Sequence, residues 1–363
     1  MKKIKNLLYV SELSLPNESA QAVQTIKMCS AFSKYTNTDF SLFNTNISFQ
    51  KLKKKYLIKN NFKLIPVFRS PKKLNLFNKL NYFFLIKKII KKKKYDYIFT
   101  RSIIVSIFLS LWGYKNILEL HLPNTGFTKF FFKFYKTIFN NKYQKFILIT
   151  KYLNSYFNLP SKKFIVLETG VDLDDFGINT KMYSNSCVYT GSFYKGKGFE
   201  NIYELAKRLP KINFYAYGNA RYLNMQFKKK IPKNLKIFNH VSYSKIPKII
   251  SKHKICLLPY SNKVHVKSNS ITAEKVMSPI KLVEYLASKK IIIASKLKVY
   301  AHILKDKENC FLININNLDD WSKKINFTLR NYNKLYKMRS NASITAKKFE
   351  INYRAKKILD FFE

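Results

Sequence analysis

Short apolar runs of four to six residues, rich in Ile, Leu, Val and Phe, recur along the whole chain and alternate with longer stretches of helical periodicity. Runs of this kind are typical of buried strands in a parallel sheet, and the intervening stretches are long enough for the crossover helices that parallel strands require. The pattern therefore predicts an α/β protein with parallel sheets. It argues against a β-sandwich or a helical bundle.

The predicted strands fall into two series, separated by the polar stretch 172–186, which is poor in aliphatic residues and contains Gly177. We expect an N-terminal domain over 1–171, a linker over 172–186, a C-terminal domain over 187–342 and a final amphipathic helix over 343–363 that packs back on the N-terminal domain. The predicted strands are 6–10, 40–43, 63–67, 96–100, 116–121, 146–150 and 164–167, then 187–190, 213–217, 236–238, 255–258, 291–294 and 310–313.

The 363 residues include 68 Lys and Arg against 20 Asp and Glu, which gives a formal net charge of +48. Only seven of the basic residues are Arg, the side chain best suited to bidentate recognition of phosphates and bases. Anionic partners are favoured, but no nucleic-acid-binding motif is present. We expect no nucleic-acid partner, and a basic nucleic-acid-binding protein remains an alternative.

The four cysteines are scattered, with no Cys-x-x-Cys pair, and the five histidines form no ligand pattern. A disulfide framework and a metal site are therefore not expected, no cofactor is expected, and a reducing cytoplasm fits the composition. No apolar run approaches the roughly 18–20 residues of a membrane-spanning helix. We expect a chain that does not cross the membrane.

The segment Ser278–Ala287 reads as the start of a helix, with Ser278 as N-cap and Pro279 at the first helical position. The free N–H groups of Ile280 and Lys281 would point out of the helix N-terminus, where a diphosphate could bind. Glu284, one turn further on, could reach the ribose attached to that diphosphate. The alternative is a capped core helix with a solvated Glu284.

A second candidate segment is the Gly-rich turn from Gly191 to Gly198, between a predicted strand and a helix. It matches G-x-x-x-x-G-K, but Gly198 stands where a P-loop has the hydroxyl residue that binds Mg²⁺, which excludes a P-loop ATPase. The turn would present Lys195 and Lys197 to a leaving diphosphate without a metal. The alternative is an ordinary strand-to-helix turn with surface lysines.

In the N-terminal domain, the strand that ends at His121 places Glu119 and His121 on one face. His121 could contact a sugar, with Glu119 orienting its ring. Arg101, just after another strand, could contact a phosphate or the acceptor. The alternatives are a satisfied loop histidine and a structural salt bridge of Arg101.

Together these segments resemble the glycosyltransferases of family 4, which have the GT-B fold: two facing Rossmann-like domains with a crevice between them. Val166–Phe176 resembles their NGVD…F segment, Gly191–Gly198 their GR…KG segment and Ser278–Ala287 their SPxKxxEYxA segment. Further matches are Leu257–Tyr260, Glu308–Leu312 and, more weakly, Leu13–Pro16, Lys27–Cys29, Thr100–Ser102 and Glu119–His121.

The resemblance implies transfer of a sugar from a nucleoside diphosphate sugar, with retention of anomeric configuration and without a metal. It implies that Lys197 binds the diphosphate, that Glu284 binds the ribose, and that the N–H groups of Ile280 and Lys281 bind the distal phosphate. His121 would contact the donor sugar near the reaction centre.

Two positions depart from the family pattern. The Arg of GR is Ser192 here, next to Gly191, and both are still expected to contact the donor. The first Glu of the family's E-x7-E pair falls at Val276, although Glu274 is close. The donor sugar is therefore not readable from the sequence.

The expected function is a cytoplasmic retaining glycosyltransferase, peripheral on the inner membrane face, that transfers a sugar to a glycan or lipid-linked acceptor in surface polysaccharide synthesis. Its partners would be the nucleoside diphosphate sugar, the acceptor and an anionic membrane surface, to which the Lys- and Phe-rich stretches 72–94 and 127–146 could bind. Those stretches could instead be ordinary surface helices. Alternatives for the whole chain are a sugar-nucleotide 2-epimerase of the same fold and an inactive glycosyltransferase-like protein.

Overall fold

The computed structural model describes residues 5–68, 76–124, 126–139, 142–224, 227, 230–266, 271–272 and 280–363. The chain divides into two compact units. The first comprises Met1–Thr169 together with Ile351–Glu363, and the second comprises Gly170–Glu350. Each contains a parallel sheet flanked by helices, so the predicted α/β class with two Rossmann-like domains is confirmed.

The first unit is built on a seven-stranded sheet in the order β3-β2-β1-β4-β5-β6-β7, with every neighbouring pair parallel. The strand order reverses between β1 and β4, and such a switch point leaves space for a ligand at the carboxyl ends of the strands. The strands are β1 (Asn6–Leu15), β2 (Asn37–Thr45), β3 (Lys63–Phe68), β4 (Tyr97–Thr100), β5 (Asn116–Leu120), β6 (Gln144–Leu148) and β7 (Phe164–Val166).

The helices of this unit cover the sheet, and their apolar residues complete its core. Strands β4 and β5 are buried along their whole length, as expected for strands covered on both faces. The helices are Ala20–Phe32, Phe49–Tyr56, Leu76–Lys92, Ile103–Leu111, Gly126–Phe139, Asn154–Phe157 and, from the end of the chain, Ile351–Phe362.

The second unit has a six-stranded parallel sheet in the order β10-β9-β8-β11-β14-β15 and a short antiparallel pair, β12 and β13. Its order also reverses, between β8 and β11. The strands are β8 (Ser186–Thr190), β9 (Asn213–Tyr217), β10 (Leu235–Phe238), β11 (Ile255–Leu258), β12 (His265–Val266), β13 (Ile271–Thr272), β14 (Ile291–Ser295) and β15 (Phe311–Ile313). The helices are Phe199–Arg208, Ile246–Ser251, Ile280–Ala287, Leu318–Arg330 and Tyr336–Ala346.

Two boundary predictions differ from the structure. Residues 172–186 are not a free linker: they belong to the second unit, where Leu173–Phe176 forms a 3-10 turn with buried Phe176. The predicted helix over 343–363 is interrupted, because Glu350 is extended and the carbonyl of Phe349 accepts the N–H of Val171 at 2.8 Å. The chain passes from the second unit to the first at this break.

All four cysteines are buried free thiols. None of the described helices combines the length and the apolar character needed to cross a membrane.

Candidate functional site

The Gly-rich turn that follows β8 is held against the loop that follows β11. At Gly198, φ is 87°, and a Cβ would lie 1.9 Å from the carbonyl oxygen of Pro259, so only glycine fits this close approach. The carbonyl of Gly196 accepts the N–H of Ser261 at 2.9 Å. The turn therefore has a defined position at the carboxyl end of the sheet.

The alternative interpretation of this turn makes Lys197 an ordinary surface lysine, and the structure differs from that interpretation. Its side chain is half-buried, and its Nζ lies 5.2 Å from the ring centre of Tyr260, whereas Lys195 in the same turn is exposed. Burial lowers the pKa of Lys197 to about 8. An anion that replaced its lost hydration would therefore bind Lys197 strongly.

The helix Ile280–Ala287 begins beside this turn, while the predicted cap residues Ser278 and Pro279 lie outside the described part of the chain. The hydroxyl of Tyr285 accepts the N–H of Thr190 at 2.8 Å and so fixes the helix to the end of β8. First-turn N–H groups of a helix, here those of Ile280 and Lys281, have no partner within the helix. The proposed binding of a distal phosphate by these groups stays a prediction.

Glu284 is buried, with 7% of its surface exposed, so the alternative of a solvated Glu284 is wrong. Burial raises its pKa to about 7, with the positive charge of Lys281 opposing that rise and the negative charge of Asp175 adding to it.

The side chain of Lys281 also reaches this cluster, which was not predicted. Its Nζ lies 3.8 Å from the ring centre of Tyr189 and 5.0 Å from that of Tyr260. It also lies directly against Gly191, where a Cβ would come within 2.1 Å of it. The sequence motif indicated only the N–H of Lys281, because the direction of its side chain depends on contacts with β8.

Ser192, the residue that departs from the family pattern, is half-buried beside Gly191. Its carbonyl accepts a hydrogen bond from the hydroxyl of Tyr189 at 2.8 Å. This contact orients the first residues of the turn, and a donor contact of Ser192 stays a prediction.

In the first unit, the structure brings Glu119 and His121 together at the end of β5. His121 Nε2 lies 2.5 Å from Glu119 Oε1, and Arg354 Nη2 donates to Glu119 Oε2 at 2.8 Å. Burial, then the charge of Arg101, lowers the pKa of His121 to about 4, although Glu119 opposes the shift. The imidazole is therefore neutral at pH 7 and offers one donor and one acceptor nitrogen.

Arg101 lies in the same cluster, with its Nε 3.8 Å from Glu119 Oε1 and its Nη1 donating to the carbonyl of Gln21 at 3.4 Å. These contacts agree with the alternative interpretation, in which Arg101 forms a structural salt bridge. A contact of Arg101 with a phosphate or acceptor stays a prediction.

Arg354, from the helix Ile351–Phe362, was not predicted. Its guanidinium also donates to the carbonyls of Glu168 at 2.7 Å and Leu167 at 3.2 Å, and it is 4% exposed. Burial alone would raise the pKa of Glu119, but Arg354, followed by His121 and Arg101, lowers it far below its ordinary value. No local motif marks Arg354, because its partner carboxylate lies 235 positions earlier.

Within the described ranges, no group of three or more His, Cys, Asp or Glu side chains is arranged to hold a metal ion.

The sequence of the second unit matches a known protein family. Residues 172–348, just under half of the chain, match the family described as Glycosyl transferases group 1. This part of the chain is similar to that family. No curated protein matches the sequence.

Solved structures resemble the chain over almost its full length. A glycosyltransferase from Rickettsia africae ESF-5 is 18% identical, with a TM-score of 0.74 and coverage of 99% of this chain and 98% of that one. Anabaena Alr3699/HepE, solved with UDP-glucose, is 14% identical, with a TM-score of 0.71 and coverage of 98% and 99%. WaaG, a glycosyltransferase involved in lipopolysaccharide biosynthesis, is 12% identical, with a TM-score of 0.63 and coverage of 98% of both chains. These likenesses show the GT-B fold and, with the family match, support a glycosyltransferase.

The buried pair of Arg354 and Glu119 gives a stability prediction. Arg354→Met should lower the free energy of unfolding of the first unit by about 3–5 kcal/mol, because it leaves a buried carboxylate without its main partner. Denaturant or calorimetric unfolding measures this loss. The double variant Arg354→Met/Glu119→Gln should recover part of the lost stability. The control Lys356→Met, at an exposed position of the same helix, should change the free energy of unfolding by less than about 1 kcal/mol. A loss below 1 kcal/mol for Arg354→Met alone would show that the pair is not essential to the first unit.

Proposed function

We propose that this chain is a retaining glycosyltransferase that moves a sugar from a nucleoside diphosphate sugar to a glycan or lipid-linked acceptor in surface polysaccharide synthesis. The observation that carries the proposal is the set of partly desolvated basic groups at the carboxyl end of β8, next to the buried carboxyl of Glu284. The group 1 domain match supports the activity class. The UDP-glucose bound to the similar Anabaena protein supports the donor class.

In this proposal the residues of the second unit bind the donor nucleotide. Lys197 binds the diphosphate, and the first-turn N–H groups of Ile280 and Lys281 bind the distal phosphate. Glu284 binds the ribose hydroxyls through its buried carboxyl group. In the first unit, His121 contacts the donor sugar, and Glu119 holds its ring in one orientation.

The leaving diphosphate gains negative charge as the glycosidic bond breaks. Lys197 and the helix N-terminus stabilise that charge more in the transition state than in the ground state, and this difference lowers the barrier. The diphosphate oxygen then takes the proton of the acceptor hydroxyl, and the acceptor oxygen bonds to the anomeric carbon on the face from which the diphosphate leaves, so the configuration is retained. This route needs no carboxylate nucleophile.

A panel of UDP, GDP and ADP sugars tests the donor class. A nucleotide sugar at about 100 times its Kd should stabilise the chain by about 2.7 kcal/mol, and the sugar product should keep its anomeric configuration by NMR. Lys197→Met and Glu284→Gln should each weaken donor binding roughly 10- to 100-fold, since each removes a charge-assisted hydrogen bond. The control Lys207→Met changes an exposed lysine that pairs with Glu204 and should bind as the parent does.

Several results would refute this assignment. Equal donor binding by both site variants and the parent would place the nucleotide elsewhere. Recovery of the nucleotide sugar with an epimerised sugar and no transfer would identify an epimerase. Binding of a donor without hydrolysis or transfer to any acceptor would indicate an inactive relative.

Metal independence is a separate expectation, because lysines and backbone N–H groups take the role that a divalent cation plays elsewhere. Transfer should continue at the same rate in excess EDTA, measured as release of the free nucleoside diphosphate. Loss of activity in EDTA with recovery on adding Mn²⁺ would contradict this mechanism.

We further propose that the chain works in the cytoplasm and binds the inner membrane face through the first unit. Three exposed apolar residues, Phe130, Phe134 and Ile138, recur at spacings of four along the helix Gly126–Phe139. Phe77 and Phe84, 75% and 65% exposed, lie on the helix Leu76–Lys92, and both helices contact the helix Ile103–Leu111.

Exposed lysines accompany these apolar residues. Lys88, Lys91 and Lys92 lie on the helix Leu76–Lys92, whereas Lys93 is not free because it pairs with Asp39 at 2.9 Å. Aromatic residues beside lysines suit the boundary of an anionic bilayer, where each lysine contributes about 1 kcal/mol. A lipid-linked acceptor would be reached from this surface.

Co-sedimentation with liposomes tests the membrane proposal. The chain should bind anionic vesicles and not neutral ones, and binding should fall as salt rises. The triple variant Lys88→Gln/Lys91→Gln/Lys92→Gln should bind less while hydrolysing the soluble donor normally. The matched control, Lys323→Gln/Lys347→Gln/Lys348→Gln, removes three exposed lysines of the second unit and should bind as the parent. Equal weakening by both triples would indicate nonspecific attraction of a basic protein, and binding to neutral vesicles would contradict an electrostatic contribution.

A further inference from the structure

The amine of Lys281 is buried without a hydrogen-bond acceptor. Lys281 is 9% exposed, and among the described residues its Nζ has no hydrogen-bond partner. Buried amines normally have such partners, because losing hydration without replacement is costly. The aromatic faces of Tyr189 and Tyr260 compensate only in part.

The charged and titratable groups around this amine come from five parts of the second unit. Lys197, from the turn after β8, repels a positive charge at Lys281, and Glu284, on the same helix, attracts one. Asp175, from the 3-10 turn Leu173–Phe176, acts on Glu284 and accepts from the hydroxyl of Tyr243 at 3.2 Å. Tyr189 in β8 and Tyr260 after β11 contribute neutral phenols, because burial raises the pKa of each.

These surroundings favour a neutral amine when no ligand is bound. Burial, followed by the charge of Lys197, holds the pKa of Lys281 well below its usual range, although Glu284 opposes the shift. A methionine of similar length would satisfy the same space without an unpaired polar atom. Packing at this position therefore does not require an amine in the ligand-free protein.

We propose, on the basis of the proposed function, that Lys281 is a second phosphate-binding side chain and that its amine takes up one proton when a nucleoside diphosphate binds. The amine lies against Gly191, next to Ser192, where the resembling family carries Arg. Lys281 thus brings to this turn, from the helix, the positive charge that Ser192 lacks.

The solvent supplies the proton that the Lys281 amine takes up. A proton from the buffer bonds to the lone pair of the Lys281 amine, and the resulting ammonium donates to a phosphate oxygen. No bond of the nucleotide breaks. The anion supplies the opposite charge that makes the buried ammonium favourable.

Proton uptake makes nucleotide affinity depend on pH. If one proton accompanies each nucleotide, the Kd rises about tenfold for each pH unit through the range where Lys281 is neutral when free and charged when bound. The same linkage makes the heat of binding depend on the ionisation enthalpy of the buffer.

Isothermal titration of the parent, Lys281→Met and the control Lys207→Met with UDP and with GDP tests this inference, at about pH 7.5 in two buffers of different ionisation enthalpy. The parent should take up nearly one proton more than Lys281→Met, and Lys281→Met should bind at least about tenfold more weakly. The free Lys281→Met protein should unfold at a temperature no lower than the parent, which separates a binding defect from a folding defect. Lys207→Met should match the parent in affinity and proton uptake.

The possible failures are distinguishable. If the parent binds a nucleotide while Lys281→Met binds equally well with equal proton uptake, Lys281 is not a phosphate ligand and the proposed function stands. If the parent binds neither nucleotide, the proposed function fails and this inference fails with it. If Lys281→Met does not fold, the Kd of the parent between about pH 6.5 and 8.5 decides, because a flat profile overturns proton uptake.

Discussion

Removal of charged side chains from water is the constraint on which both candidate clusters depend. The chain carries a net charge of +48, and most of its lysines can remain hydrated at the surface. Four charged or titratable side chains of the two clusters cannot, because at most 9% of the surface of each is exposed: Glu119, Arg354, Lys281 and Glu284. Each buried charge there needs a partner within the protein or a ligand that provides one.

The two clusters meet this constraint in opposite ways. In the first unit, Glu119 accepts from Arg354 and contacts His121, so the charges are compensated and the imidazole is held neutral in one orientation. In the second unit, Lys197 and Lys281 lie near one tyrosine ring, and the pKa of the nearby Glu284 is raised to about 7. A compensated charge suits a group that is held in one position, whereas partly desolvated basic groups suit an anion-binding site.

Local patterns predicted much of this structure. The strands 213–217 and 255–258 were predicted with the bounds observed, because an apolar run bounded by polar residues defines a buried element. Motif spacing singled out Lys197 and Glu284 as candidate donor ligands, a role that stays a prediction. Contacts between distant segments were not accessible: Arg354 reaches Glu119 only after the chain returns to the first unit, and the Lys281 amine depends on the fit against Gly191. The break at Glu350 was missed because the apolar periodicity continues through it.

The central claim is that the carboxyl end of β8 is an anion site formed by lysines from two different elements. A crystal structure of the chain with bound UDP tests it most directly. The account predicts diphosphate oxygens at about 2.7–2.9 Å from the Nζ atoms of both Lys197 and Lys281, the usual length of a charge-assisted hydrogen bond. A diphosphate bound away from both amines, with the Lys281 side chain still enclosed by Tyr189 and Tyr260, would contradict it.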